Sequence, residues 1–464
     1  MSIGERINSL KEKNYLELFK DVIVFGIGVA FAKAIQFLLM PLYTTYLSTD
    51  AYARGELVNS ISDLLLPIAT LCLYESGFRY IAESFYKKEE IYSTVIRIVN
   101  YSLITGFVFF SLIRFCLHWN YSFLLFLDLY GYSYMWVLSY MMKGKGGSKA
   151  FVTSGIINAL FLLILSYLLI AILKMNEQGY LLAIGLSYIP ACAYLLLKDK
   201  TYKLINSRFY SDECKNTLLR YGLPLVIYNL GYWLVTVSGR YVLLFLSSES
   251  DVGIYVASMK ISGVMNMVFT AVHASFQLNG IRQYTQERKE EYYSKVSNLF
   301  VCVFCVMASV LILLTPIISK ILLKKEFNAG EKYMPCIILS ATIYSFSSLY
   351  GTMYSIYKKP NRLVPCIFIG AIVNIVISMS LVPVINIWGV IIGGIFSYLF
   401  QFLYKIIDQK QFVNIYIKWG SVIINGVMLL LSIYLRLHNY SGVFVFMVTL
   451  VTIIVNAFFV FRFP

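Results

Sequence analysis

The 464-residue chain is 59 % hydrophobic and 14 % charged, whereas soluble domains carry about 25 % charged residues. This composition excludes a soluble globular protein and predicts one that lives in a membrane. The net charge of +15 fits loops that face anionic lipid headgroups, so membrane lipids are expected partners and nucleic acid is not.

Fourteen apolar stretches follow one another along the chain. Each is long enough to cross a bilayer, since a spanning helix needs about 20 mostly apolar residues. The stretches are 19–47, 57–80, 91–113, 120–142, 150–173, 178–197, 217–247, 253–280, 295–319, 333–357, 363–384, 387–404, 412–435 and 440–461. Strands of alternating hydrophobicity are absent, so the pattern predicts an all-α polytopic membrane protein with about 14 transmembrane helices. The turn after Pro383 is very short, which leaves twelve or thirteen spans open.

The distribution of Lys and Arg predicts the orientation of the chain. The loops on the side of both termini hold 25 of these residues, and the opposite loops hold 8. Because short cytoplasmic loops carry the excess of positive charge, we expect a multi-pass protein with both termini in the cytoplasm.

A nine-residue segment occurs twice. Residues 87–95 and 288–296 share six identities at an offset of 201, and Asp50 and Asp251 keep that offset. Six spans separate the copies, so they run in the same direction. Parallel duplicated halves are typical of transporters with a site between them. We therefore predict two parallel six-helix lobes around a central cavity.

The expected domain boundaries follow from this repeat. Residues 1–197 form an N-lobe and 198–216 a cytoplasmic linker. Residues 217–407 form a C-lobe, and 408–464 form two extra C-terminal helices.

Ionisable residues within the spans are concentrated on four helices that the duplication pairs. These residues are Lys33, Asp63, Glu75, Arg79, Arg240, Lys260 and His273. A charge at the bilayer centre costs about 2.5–3.5 kcal/mol on insertion scales, so such side chains face protein or water. The basic residues Lys33, Arg79, Arg240 and Lys260 are candidates for binding an anionic substrate, such as a phosphate or pyrophosphate.

The acids and the histidine of this set, Asp63, Glu75 and His273, are candidates for binding a coupling proton or sodium ion. Other interpretations stay open. Glu75 and Arg79 share a helix face and are candidates for a structural pair, and Arg79 lies near enough to a span end to reach the interface. For Asp128 we favour a structural hydrogen bond, because its helix lies away from the expected cavity.

No motif indicates catalysis. The sequence has no GxxxxGK[ST], HExxH or GxSxG pattern, and its short outer loops disfavour a polymerase. Cys302 and Cys305 form a CxxC on an apolar helix without further ligands, which favours buried small residues over a metal site. We expect no enzyme activity, catalytic residue, metal site or cofactor.

Three stretches resemble polysaccharide repeat-unit flippases. Residues 25–44, FGIGVAFAKAIQFLLMPLYT, resemble the first span of these Wzx-type members of the multidrug/oligosaccharidyl-lipid/polysaccharide (MOP) exporter superfamily, which also contains the MATE transporters. Residues 221–225 (YGLPL), 238–243 (SGRYVL) and 252–255 (VGIY) resemble the opening of the second lobe in that family. The resemblance covers roughly residues 20–400.

This resemblance implies two six-helix lobes around a cavity lined by helices 1, 2, 7 and 8. It implies alternating access driven by an ion gradient. The substrate would be an undecaprenyl-pyrophosphate-linked oligosaccharide, moved from the cytoplasmic to the outer leaflet of the bacterial inner membrane for O-antigen or capsule synthesis. Lys33, Arg240 and Lys260 would bind its anionic group. Polymerases and other polysaccharide assembly proteins are expected partners. The main alternative is a MATE-type drug or metabolite cation antiporter of the same superfamily.

Overall fold

The computed structural model describes residues 31, 34–35, 37–283, 287–357 and 359–462. Within these residues the regular structure is helical, with sixteen α-helices and no β-strand. The prediction of an all-α fold is therefore confirmed.

The helices follow one another with short connections. The first eight are α1 (Met40–Tyr46), α2 (Thr49–Thr70), α3 (Leu73–Ala82), α4 (Lys88–Leu117), α5 (Ser122–Gly144), α6 (Ser148–Ser166), α7 (Asn176–Leu197) and α8 (Asp212–Leu246). The second eight are α9 (Glu249–Met259), α10 (Ser262–Gln283), α11 (Lys289–Leu322), α12 (Met334–Ile356), α13 (Leu363–Ile385), α14 (Ile387–Gln409), α15 (Trp419–Leu437) and α16 (Gly442–Arg462).

The described helices form two compact units. Unit 1 comprises Gly55–Leu230 with the described residues before Met40, and unit 2 comprises Met40–Arg54 and Gly231 onward. Helices α2 and α8 therefore each contribute residues to both units. In unit 1, α5 packs against α3 and α7, and in unit 2 the last two helices, α15 and α16, pack against α11. The lobe boundaries expected from the sequence stay a prediction.

Many helices have the length and composition of membrane spans. Nine helices of the described chain qualify, and two bent pairs, α2 with α3 and α9 with α10, raise the number to eleven. The chain is thus a multi-pass membrane protein, but the count of fourteen is not established. The first predicted span lies mostly outside the described residues, and α8 is not among the nine.

The ambiguous turn after Pro383 separates two helices. Asn386 alone lies between α13 and α14, and its φ of +52° is one that asparagine tolerates better than most residues. Its side chain donates to Asp251 Oδ2 at 2.9 Å. The two stretches are therefore separate helices.

The bend between α2 and α3 comes from two residues in the left-handed region. Leu71 and Cys72 have φ values of +49° and +51°, and the two helices meet at 53°. Pro67, four residues before Leu71, cannot donate to the carbonyl oxygen of Asp63, which weakens the last turns of α2. Pro224, by contrast, lies within the continuous helix α8.

In each unit, a serine of the duplicated segment hydrogen-bonds to the backbone of a segment that comes later in the chain. Ser93 on α4 accepts a hydrogen bond from the Asn206 amide and donates to the Leu204 carbonyl, both at 3.0 Å. Its equivalent at the 201 offset, Ser294 on α11, accepts from the Tyr416 amide at 2.8 Å. Each serine thus holds the segment that follows the sixth or the twelfth predicted span. These parallel contacts support the internal duplication.

In unit 2, two further side chains of α11 accept hydrogen bonds from the same segment at regular intervals. Glu290 and Asn298, four residues to either side of Ser294, accept from the amides of Asn414 and Lys418 at 2.9 Å each. Four helical residues advance about 6 Å, and two extended residues advance about 6.6 Å. The two periods therefore match, and the segment lies along α11.

Replacing Ser93 with alanine should destabilise this anchor. Ser93 is 3 % exposed, and Ser93→Ala removes two part-buried hydrogen bonds, to the Asn206 amide and the Leu204 carbonyl, at a cost of about 0.5–1.5 kcal/mol each. Thermal unfolding in detergent and hydrogen exchange of residues 198–211 measure the effect.

Ser111→Ala is the matched control. Ser111 is exposed on the same helix and bonds only to the Phe107 carbonyl, so its loss should leave both measurements unchanged. Equal behaviour of the two variants would contradict the anchoring role of Ser93.

Candidate functional site

The candidate site residues fall into the two units. Lys33 lies outside the described residues. Asp63, Glu75 and Arg79 lie in unit 1, and Arg240, Lys260 and His273 lie in unit 2. Their surroundings are therefore described unit by unit, and the role of each stays a proposal.

Asp63 lies in the middle of α2 and has an exposed side chain. It interacts with the Tyr132 hydroxyl of α5. It also lies within electrostatic range of Asp128, which is on the same helix as Tyr132.

Asp128 does not form the structural hydrogen bond expected from the sequence. Its side chain is 0 % exposed, and neither carboxyl oxygen has a hydrogen-bond partner in the described structure. The Ser62 hydroxyl approaches it, but the Ser62 oxygen is also without a hydrogen bond of normal geometry. The sequence does not predict that the Asp128 carboxyl group lacks partners, because hydrophobic periodicity places a residue on a helix without showing which groups surround it.

Glu75 and Arg79 do not pair with each other. The Arg79 Nε donates to Glu83 Oε1 at 2.9 Å, and its guanidinium lies 4.8 Å from the ring centre of Tyr221. Because Arg79 and Glu83 are both about half exposed, this ion pair contributes little to stability. Glu75 is partly buried beside Tyr140 and makes no ion pair with a described residue.

The three candidates of unit 2 lie on or between consecutive helices. Arg240 is on α8 and interacts electrostatically with Tyr255 of α9. Lys260 directly follows the last residue of α9, at the 41° bend that leads into α10. His273, on α10, packs its ring 5.2 Å from that of Phe269. The cation Lys260 is thus positioned by a helix break.

The turns before α2 and α9 meet within unit 2. The Thr49 and Ser250 hydroxyls lie 2.9 Å apart, and these residues are 201 positions apart. Beside them, the Arg54 guanidinium and the Glu249 carboxylate form an ion pair at 2.7 Å.

Two glycines of the family-like stretches permit close backbone contacts. A Cβ atom on Gly253 would lie 2.1 Å from the Thr49 carbonyl oxygen, and one on Gly222 would lie 2.4 Å from the Leu71 carbonyl oxygen. The glycine in each motif is therefore a packing requirement.

Lys405 is a buried charge that sequence reasoning placed in a loop. It lies in the last turns of α14, is 6 % exposed, and donates to Ser347 Oγ at 2.9 Å and to the Ser347 carbonyl at 3.1 Å. Its partners are neutral, and no described carboxylate forms an ion pair with it.

Cys302 and Cys305 are both free and buried. The Cys302 thiol lies 3.8 Å from the Ser421 hydroxyl. In the part of the chain that the structure describes, no three His, Cys, Asp or Glu residues are grouped as metal ligands.

Comparison with known proteins identifies the fold. No protein-family model matches the chain, and no curated protein matches it. Among solved structures, the lipid II flippase MurJ matches with a TM-score of 0.68 and 15 % identity, over 95 % of this chain and 99 % of that one. An inward-facing multidrug resistance MATE transporter of the MOP superfamily matches with a TM-score of 0.66 and 14 % identity, over 84 % and 98 %.

A third match is a MOP superfamily transporter from Pyrococcus furiosus, described as having a binding pocket of reversed polarity. It has a TM-score of 0.57 and 15 % identity, over 84 % of this chain and 96 % of that one. This chain shares their fold. The structural neighbours are themselves transporters and flippases.

Gly253→Ala should disrupt the contact between the two equivalent turns. The added methyl group meets a backbone oxygen that cannot rotate away, so we expect a loss of about 1–3 kcal/mol through overpacking. Thermal unfolding of the purified protein measures it.

Gly263→Ala provides the comparison, because a Cβ atom there has nothing within 4 Å. That substitution should be neutral, or stabilising by about 0.4–1 kcal/mol. If both variants unfold at the wild-type temperature, the close approach at Gly253 does not constrain the fold.

Proposed function

We propose that the protein is a flippase that moves an undecaprenyl-pyrophosphate-linked oligosaccharide repeat unit across the bacterial inner membrane. Transfer runs from the cytoplasmic to the outer leaflet by alternating access and is coupled to an ion gradient. The product serves polysaccharide synthesis, such as O-antigen or capsule.

The observation that carries this proposal is the extent of the fold match. The lipid II flippase aligns with 95 % of this chain, whereas the multidrug transporter aligns with 84 %. A flippase whose name specifies a lipid-linked substrate therefore accounts for more of the chain than a drug transporter does. Because the identities are low, the substrate itself is inferred from the charges below.

The charges of the candidate residues favour an anionic substrate. Lys33, Arg79, Arg240 and Lys260 supply four cations against the acids Asp63 and Glu75. Guanidinium and ammonium groups bind phosphate oxygens through charge-assisted hydrogen bonds. A pyrophosphate headgroup fits this set better than a cationic drug, which requires an acidic lumen.

The proposed substrate also has consequences for how the protein lies in the membrane. A polyprenyl tail is apolar and stays in lipid while the headgroup enters the protein. The excess of Lys and Arg in the terminal-side loops, 25 against 8, favours termini in the cytoplasm, where lipid-linked repeat units would be made. A polymerase and other assembly proteins would take over the product. The coupling ion would bind at Asp63, Glu75 or His273.

The alternative is a MATE-type drug or metabolite cation antiporter. The matches to multidrug resistance transporters favour it. The transporter from Pyrococcus furiosus, whose pocket polarity is described as reversed, shows that one fold accommodates pockets of different polarity, so the charge of the site decides between the two functions.

Removal of one candidate cation should abolish export. Lys33→Ala, Arg240→Ala and Lys260→Ala each remove charge-assisted hydrogen bonds of about 1.5–3 kcal/mol, which corresponds to substrate binding about ten- to hundredfold weaker. In a bacterial strain that lacks its own repeat-unit flippase, surface polysaccharide measures export, and membrane immunoblotting measures insertion.

Lys149→Ala removes an exposed cation at the start of α6 and should export like the wild type. Two results would contradict the proposal: full export by all three candidate variants, or a wild-type protein that confers resistance to cationic dyes without exporting polysaccharide.

A further inference from the structure

Two neighbouring cavities lie along α4 in unit 1. The first has a volume of about 650 Å³ and lies between α4 and the segment that follows α7, where it is lined by Ile205, Asn206 and Arg208. The second has a volume of about 340 Å³ and lies between α4 and α5. Asn100 and Ile104 line both cavities. The two cavities therefore meet on the surface of α4 and form one groove, which we call the α4 groove.

The first cavity of the α4 groove is basic. Arg97 of α4 and Arg208 line it, and the described residues of its lining include no aspartate or glutamate. Both arginines are exposed, and neither forms an ion pair with a described residue. Asn100 Oδ1 accepts a hydrogen bond from the Tyr134 hydroxyl, which leaves the Asn100 amino group able to donate. The lining thus offers two guanidinium groups and an amide N–H to an anion.

Aromatic rings position the Arg97 guanidinium. Its central carbon lies 4.4 Å from the ring centre of Tyr210 and 5.8 Å from that of Tyr101. Such contacts use the face of the guanidinium, whereas its N–H donors point outward in its plane. Asp212 interacts electrostatically with Arg97, but its carboxylate pairs with Lys215 at 3.3 Å. Arg97 is therefore held in place and keeps donors for a ligand.

The second cavity of the α4 groove is mostly aromatic. It is lined by Phe107 of α4 and by Phe126, Tyr130 and Tyr134 of α5. The ring centres of Phe107 and Phe126 lie 5.2 Å apart, and those of Tyr130 and Tyr134 lie 4.8 Å apart. Phe107 is 48 % exposed and Ile104 is 61 % exposed, so the cavity opens at the surface of unit 1. A wall of this kind suits an apolar chain.

The length of the α4 groove matches a phospholipid. Arg97 and Phe107 are ten residues apart on α4, which corresponds to about 15 Å along a helix. This distance is about half of the 30 Å hydrocarbon core of a bilayer. Helix α4 has the length and composition of a membrane span, and Arg97 lies towards its N-terminal end, on the side where the excess of Lys and Arg predicts the cytoplasm. A headgroup at Arg97 would therefore keep its acyl chain within one leaflet.

The equivalent place in unit 2 differs in charge. A cavity of about 1080 Å³ lies there beside Ser294, the counterpart of Ser93, which lines the first cavity of the α4 groove. Glu290 and Glu291 line the cavity of unit 2 together with three lysines, and Glu291 pairs with Lys295 at 3.3 Å. Because carboxylates repel a phosphate, the α4 groove is the better anion site of the two.

We propose that the α4 groove binds an anionic phospholipid of the cytoplasmic leaflet. Arg97, Arg208 and the Asn100 amino group donate hydrogen bonds to its phosphate oxygens, and an acyl chain lies against Ile104 and Phe107. A zwitterionic headgroup fits less well, because its ammonium group would meet the two arginines. The bound phosphate joins α4 to the segment that follows α7. The site does not depend on the flippase function proposed above.

Photocrosslinking of the full-length protein in phosphatidylcholine vesicles tests the occupant. One probe is a trace of phosphatidylglycerol with a diazirine in its acyl chain, and the comparison is phosphatidylcholine with the same chain. Mass spectrometry of peptides should find the phosphatidylglycerol probe around Phe107 and Phe126, with about tenfold less of the phosphatidylcholine probe there. Unlabelled phosphatidylglycerol in the vesicles should remove the label. Equal labelling by the two probes would overturn the site.

Two variants and a control connect the label with the arginines. Arg97→Gln and Arg208→Gln each remove one exposed cation and should lower the phosphatidylglycerol label about tenfold. Lys203→Gln removes an exposed cation of the same segment that lines neither cavity, and it should leave the label unchanged. Unchanged labelling of both arginine variants would overturn the site. So would an equal loss in all three variants, since it would indicate general attraction to a basic surface.

Hydrogen exchange tests the link between α4 and the segment that follows α7. Residues 205–209 should exchange more slowly in vesicles that contain phosphatidylglycerol than in vesicles of phosphatidylcholine alone. Arg97→Gln should abolish this difference, because the phosphate then loses its contact with α4. Equal protection in the wild type and in Arg97→Gln would contradict the bridging role of the phosphate.

The lipid-linked substrate is the competing occupant. If undecaprenyl pyrophosphate removes the label more effectively than the same amount of phosphatidylglycerol, the α4 groove belongs to substrate transport and the phospholipid proposal fails. The label is measured without transport. A protein that binds phosphatidylglycerol but does not flip a lipid-linked oligosaccharide would therefore count against the flippase function alone.

Discussion

The structure depends on the cost of leaving a polar group without a partner in an apolar environment. Lipid provides no hydrogen bonds, so the backbone satisfies itself in helices, and polar side chains must find partners across helices. Asn425 of α15 and Asn456 of α16 exchange amide hydrogen bonds at 2.9 and 2.6 Å. Asn374 of α13 donates to the Val235 carbonyl of α8 at 2.9 Å. Such contacts hold helices that hydrophobic burial alone would not align.

The same constraint explains what the sequence predicts well. Apolar length follows directly from bilayer thickness, so helices such as α4, α11 and α13 lie close to the stretches predicted from composition. The duplication was also accessible, because hydrogen-bonding residues repeat where their partners repeat. Ser93 and Ser294 occupy the same position in the two copies and hold equivalent segments. Sequence therefore predicts the helices and their repetition.

The contacts of individual charges were less accessible. A four-residue spacing made Glu75 and Arg79 plausible partners, yet Arg79 also lies four residues from Glu83 and pairs there. The spacing rule cannot decide between two equal neighbours, since the choice depends on side-chain direction and on Tyr221 of another helix. Likewise, the position of Lys405 near a helix end suggested a loop, because hydropathy does not show that α12 covers it.

Lys405 and Asp128 show how differently a buried cation and a buried anion can be accommodated. An ammonium group can donate to neutral acceptors, and Ser347 supplies two of them to Lys405. A carboxylate needs donors, and the described surroundings of Asp128 supply none of normal geometry. The hydrogen-bonding groups of the buried lysine in unit 2 therefore have partners, whereas the oxygens of the buried acid in unit 1 have none among the described residues.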